Sequence, residues 1–186
     1  MSAAQIEKDL TSEDIEKRLA AIKKFPDLDP AYVERMFLIV LNDYHHAVRE
    51  AAAEMVYLVP KLFVEFLSDP DPLVRLKILE KIPEIIKGFK DPASVYQTLA
   101  KITLDQEPLI RCALLGILPG FVDEGKSMEM LKACIIPIIE EMQRDSFDEV
   151  RLAAAKDIRI LIIDKQLGFD FAFNAMFEAL HSVMVD

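Results

Sequence analysis

The stretch Gly120-Phe-Val-Asp-Glu-Gly125-Lys126-Ser127 has the spacing of a phosphate-binding loop, and Ile160-Leu-Ile-Ile-Asp164 has the form of an apolar strand ending in a magnesium-holding aspartate. Such a site needs backbone N–H groups between a strand and a helix to surround the phosphates, with Lys126 and Ser127 reaching phosphate and metal. The surroundings argue against it. Arg111 and Pro119 precede Gly120 in a run of helical spacing, and Asp123 and Glu124 would set two negative charges beside a polyphosphate. No series of strands is visible from which to build a parallel sheet.

Other reactive side chains lead to the same place. His45 and His46 are adjacent and His181 is distant, while a metal site would need further ligands at workable spacing. They read as solvated turn histidines. Cys112 and Cys134 sit in apolar runs with no histidine near in sequence to activate a thiol, and read as small core residues. The sequence therefore predicts no catalytic residue, no cofactor and no metal.

The residues that do recur are acids and arginines. Asp, four residues, Val or Ile, then Arg occurs as Asp43 with Val48-Arg49, Asp69 with Val74-Arg75, Asp105 with Ile110-Arg111, and Asp145 with Val150-Arg151. A degenerate copy opens the chain, with Ser12 at the Asp position and Arg18-Leu-Ala-Ala matching Arg151-Leu-Ala-Ala. The chemistry available is a charge-assisted hydrogen bond from each Arg to an Asp of its own or the neighbouring turn, a structural role rather than a recognition stripe.

Positioning those pairs requires helices. Apolar residues recur at three- and four-residue intervals, as in Val150, Ala153, Ala154, Ile158, Leu161 and Ile162. Asp29-Pro30, Asp71-Pro72 and Asp91-Pro92 supply caps with a proline for the first turn, and Gly88, Gly125 and Gly168 read as stops. The arginine spacing fits two helices and two turns per copy. The expectation is about five hairpins over 2–25, 30–59, 61–87, 92–122 and 127–164, with first helices at 2–10, 30–41, 61–68, 92–104 and 127–143. The second helices are expected at 13–25, 46–59, 72–87, 108–122 and 148–164. The third copy leaves room for only a stubby first helix around Leu62 to Leu67, and Pro83, Pro119 and Pro137 read as kinks.

Residues 168–185 have the make-up of one more first helix without its mate. That would uncover Phe171, Phe173, Phe177, Leu180 and Met184, so the reading expects either a chain continuing past Asp186 or a homodimer through this helix.

Composition narrows the rest. The chain has 186 residues, 52% hydrophobic and 29% charged, with a mean hydropathy of +0.20, enough for a substantial core and unlike a disordered or collagenous chain. A net charge of −10 disfavours nucleic acid and anionic membrane surfaces as partners. The longest uncharged stretch, Cys112 to Val122, is 11 residues and too short to span a bilayer. Two isolated cysteines and a charged N-terminus without an apolar core segment point to a reducing, intracellular setting, the cytoplasm or the nucleus.

The repeated Asp and Arg resemble the HEAT-repeat α-solenoids over nearly the whole chain. The segment Leu10-Thr-Ser-Glu-Asp-Ile-Glu-Lys-Arg-Leu-Ala-Ala-Ile-Lys-Lys is similar to the opening repeat of the protein phosphatase 2A scaffold (A) subunits. The resemblance implies an all-α, right-handed solenoid of about five HEAT-type hairpins plus an unpaired C-terminal helix, forming a single domain over 1–186. It also implies a non-enzymatic scaffold or adaptor whose intra-hairpin turns form a ridge gripped by other proteins, phosphatase regulatory subunits among them. In this chain that ridge would hold Tyr44, His45, His46, Asp71, Gln106, Glu107, Ser146, Phe147 and Asp148, with Tyr44 and Phe147 as anchors or as rings folded over their own hairpins. Glu50, Glu54, Tyr57, Lys77, Glu84 and Lys156 would extend it along the second helices. The alternatives are a different HEAT adaptor, transport-receptor-like or chromosome-organising, and, remotely, a P-loop NTPase.

Overall fold

The apolar spacing folds into helices, and no strand occurs among the described residues. The structure, a computed structural model, describes residues 2–86, 93–122 and 135–163. Its α-helices are α1 (Ala3–Leu10), α2 (Ile15–Ile22), α3 (Pro30–Val40), α4 (His46–Ala53), α5 (Phe63–Leu67), α6 (Pro72–Ile85), α7 (Ala93–Lys101), α8 (Pro108–Ile117), α9 (Ile136–Met142) and α10 (Asp148–Ile163). The described residues are all-α. Gly88, Asp91-Pro92, Gly125, Gly168 and residues 168–185, with the homodimer expected there, lie outside the described residues.

Short polar side chains start these helices by taking up an N–H that the helix itself leaves unbonded. Asp29 Oδ1 accepts from Ala31 N–H at 2.9 Å ahead of Pro30, and Asp71 Oδ1 accepts from Leu73 N–H at 2.9 Å ahead of Pro72. Asp14 caps α2 through Glu16 N–H at 2.9 Å, and the Nδ1 atom of His45 caps α4 through Ala47 N–H at 3.2 Å.

Several second halves end earlier than their hydrophobic patterns suggest. The expected helices 13–25, 46–59, 92–104 and 108–122 finish as tighter 3-10 turns at Phe25–Asp27, Val56–Leu58, Ile102–Leu104 and Leu118–Val122. Prolines account for three of them. Pro26 and Pro119 lack the N–H that would continue an α-helix, and Val59, ahead of Pro60, is pushed to φ −138°, ψ 69°. In the fourth, Thr103 Oγ1 donates to Ala100 O at 2.8 Å and competes with the helical ladder. Pro83 lies inside α6, whereas Pro137 stands in the first turn of α9.

Contacts divide the chain into two units, Met1–Lys90 and Asp91–Asp186. In the first, α1 packs on α2, α3 on α4, and the short α5 on α6; across these hairpins α2, α4 and α6 stack in turn, and α1 lies on α3. Phe25, Phe37 and Phe66, all fully buried, run through this core with ring centroids 5.2 Å and 6.1 Å apart. Each such ring contributes several kcal/mol relative to alanine, about 3–5. In the second unit α8 packs on α10, α9 on α10, and Tyr96 meets Phe121 edge-on at 5.6 Å.

Candidate functional site

The turn between the two helices of each hairpin is built the same way every time, because the Asp and Arg six residues apart bond the same atoms. The Asp carboxylate first bonds its own turn. Asp43 Oδ1 accepts from His45 N–H, Asp69 from Asp71, Asp105 from Glu107 and Asp145 from Phe147, each at 2.9 Å. Ser12 Oγ substitutes in the first copy, accepting from Asp14 N–H at 3.2 Å.

The arginine then clamps the turn from the following helix. Nη1 donates to the carbonyl six residues back: Arg18 to Ser12 and Arg49 to Asp43 at 2.7 Å, Arg75 to Asp69 and Arg151 to Asp145 at 2.8 Å, and Arg111 to Asp105. The rest of the guanidinium faces the Asp of the next turn. Arg49 meets Asp69 through Nε–Oδ2 at 2.7 Å and Nη2–Oδ1 at 3.0 Å, and Arg111 meets Asp145 through the same atoms at 2.6 and 2.8 Å. Arg18 Nε stands 2.8 Å from Asp43 Oδ2 as an ion pair whose N–H is not aligned with the contact. Each of these arginines thus ties one turn to its neighbour within its unit. Arg151 also reaches Asp148 Oδ1 on its own helix at 2.6 Å.

Burial makes these bonds count. Arg18 is only 2% exposed and the Asp69 side chain only 4%, so neither charge has water as an alternative partner. The hydrogen bond to Asp69 holds the Arg49 pKa above its ordinary value against the lowering by burial. At Asp145, burial pushes the carboxyl up, but hydrogen bonds from Arg111 and the Phe147 N–H, together with the Arg111 and Arg151 charges, outweigh it and hold the pKa below the ordinary range.

The proposed ridge residues lie around these clamps. Tyr44 is 78% exposed, and Arg18 Cζ sits 4.6 Å from its ring centroid; Phe147 is 46% exposed, with Arg111 Cζ at 5.4 Å. Both aromatics therefore cover the preceding hairpin's arginine with one face while leaving surface to solvent. His45 and His46 are stacked with centroids 5.1 Å apart, and His46 Nδ1 stands 3.7 Å from Asp71 Oδ2. Gln106, Glu107, Ser146 and Asp148 are exposed. In the layer of second helices, Lys77 Nζ lies 3.5 Å from Glu54 and 3.0 Å from Glu80.

Two features escaped the sequence reading. Leu104, Leu109 and Leu152 are strongly exposed around the turns of the second unit. Asp157 is 3% exposed on α10; its Oδ2 has no hydrogen-bond partner among the described residues, and burial raises its pKa to about 7 against the lowering by Lys156. The signal was present in its spacing, since Asp157 falls three residues after Ala154, on the apolar stripe with Val150 and Ile158.

Gly120 belongs to the 3-10 turn Leu118–Val122, preceded by α8 rather than by a strand, and Ile160 to Ile163 belong to α10; Asp123, Glu124, Gly125, Lys126, Ser127 and Asp164 lie outside the described residues. Cys112 is half-buried with its thiol pKa pushed up by burial; Cys134 and His181 lie outside. Among the described residues no three His, Cys, Asp or Glu side chains group as metal ligands, and no helix is long and apolar enough to cross a membrane. A groove of about 200 Å³ between α7 and α9 is lined mainly by apolar surface, with Glu141 its charged residue. Comparison of the chain with protein-family models and with curated proteins finds no match.

Proposed function

We propose that this chain is a non-enzymatic scaffold or adaptor, a right-handed α-solenoid of HEAT-type hairpins whose intra-hairpin turns hold partner proteins in a fixed mutual geometry. The observation that supports it is the repeated clamp, in which an arginine bonds its own turn and the carboxylate of the next, as in Arg49 with Asp69 and Arg111 with Asp145. Buried, paired charges of this kind set the spacing of neighbouring turns, leaving Tyr44, His45, His46 and Asp71 to present a surface on the first unit and Gln106, Glu107, Ser146, Phe147 and Asp148 on the second. On the resemblance of the first copy, the partners proposed are subunits of a Ser/Thr phosphatase, in the cytoplasm or nucleus.

Affinity purification from cell extract with quantitative mass spectrometry tests this. Phosphatase subunits should be enriched by the wild-type chain and depleted with Tyr44→Ala combined with Phe147→Ala. Recovery of transport or chromosomal components alone would reject the phosphatase assignment and favour the other adaptor reading. Capture indifferent to the turn variants would move the binding surface off the ridge.

A further inference from the structure

The turns of the first unit carry a chemistry more specific than exposure. Tyr44, His45 and His46 form an aromatic row, with Tyr44 edge-on to His45 at 6.4 Å and His45 stacked on His46 at 5.1 Å. The row ends at a carboxylate, Asp71 Oδ2, 3.7 Å from His46 Nδ1 and borne on the next turn. One face of Tyr44 already holds a guanidinium, that of Arg18, and the ring remains 78% exposed.

Around this row the free charges are acidic. Glu13, Asp14 and Glu16 are exposed on the neighbouring turn together with Lys17, while Arg18 and Arg49 are engaged with Asp43 and Asp69 and Arg75 bonds the carbonyls of Asp69 and Pro70. An acidic segment or a nucleic acid would meet like charge there. Among the described residues no three metal-ligating side chains group there. An aromatic row that ends at a carboxylate instead matches planar cations, which stack on an exposed ring or pair with the acid.

We infer that this ridge binds an arginine-bearing segment of a protein partner, one guanidinium stacked on Tyr44 and another paired with the Asp71 carboxylate beside His46. The inference rests on the scaffold reading and narrows the partner's chemistry. Arginine is favoured over lysine because its guanidinium is flat, weakly hydrated and able to offer two N–H groups to one carboxylate.

The test uses the full chain and two labelled ten-residue peptides, one with three arginines spaced by serine and leucine, the other with lysine at those positions. Fluorescence anisotropy should show the arginine peptide binding about two- to five-fold more tightly, the scale of an exposed cation–π contact. Tyr44→Ala should erase that preference and Tyr44→Phe retain it. Asp71→Ser, which removes the carboxylate but keeps a capping oxygen, should weaken both peptides more than Asp27→Asn, which removes one charge beyond the far end of α2. Equal affinities for the two peptides, no binding of either, a preference that survives Tyr44→Ala, or equal effects of the two Asp variants would each overturn the inference. Partner capture that still depends on Tyr44 and Phe147 would then leave the scaffold reading standing.

Discussion

Asp69 shows what the clamp does at the scale of one residue. Its side chain is 4% exposed, one oxygen bonds the Asp71 N–H, and both oxygens face the Arg49 fork. Removing Arg49 would leave that carboxylate buried without a counter-charge. Arg49→Ala should therefore cost about 3–5 kcal/mol by urea denaturation, and a loss under about 0.5 kcal/mol would mean the pair carries no stability. The sign differs for the two carboxylates with shifted pKa. Asp145 is held low, so its contribution is present above the unfolded value of about 3.9 and disappears as pH falls through the lower folded value. The acid limb of the stability profile should flatten in Asp145→Asn. Asp157 is raised to about 7, so it opposes folding increasingly as pH rises from about 4 to 7. Asp157→Asn should raise stability by about 1–3 kcal/mol at pH 8 and by about a quarter of that at pH 4.5. A gain of equal size at both pH values would refute the assignment.

At the scale of elements, the sequence announces helix starts better than helix ends. Asp29 and Asp71 cap where the Asp-Pro pairs stand, because capping is settled within three residues. Ends depend on competition that hydrophobic spacing does not register. Pro119 and Thr103 turn the last residues of their runs into 3-10 geometry, although the apolar pattern continues through Phe121 and Leu104. Some starts lack a side-chain cap, and one of them could take it. At the register where Asp14, His45 and Asp71 cap, Glu107 makes no side-chain cap hydrogen bond to α8. Glu107→Asp should stabilise the chain by about 0.5–1 kcal/mol, read as a higher melting temperature. An unchanged or lower value would show that Pro108 already sets that start.

For the whole molecule, the proposed nearest-neighbour architecture predicts that damage stays local. In Arg111→Ala, hydrogen exchange should accelerate most in α8 and α10, whose turns that arginine joins, and little in α1 to α5. Uniform acceleration along the chain would contradict a stack of separable hairpins. The helical make-up of the described residues and the identity of the clamping residues follow from periodicity and from a spacing of six between Asp and Arg, because these are local properties of the chain. Local order cannot say which turn an arginine's fork will meet. The fold decides that Arg49 spans to Asp69 and Arg111 to Asp145, that Tyr44 and Phe147 lie over arginines from the preceding hairpin, and that Asp157 is buried. Each of those depends on which helices stack, and stacking brings together residues 20 to 36 positions apart in the chain, where only tertiary packing sets the distance.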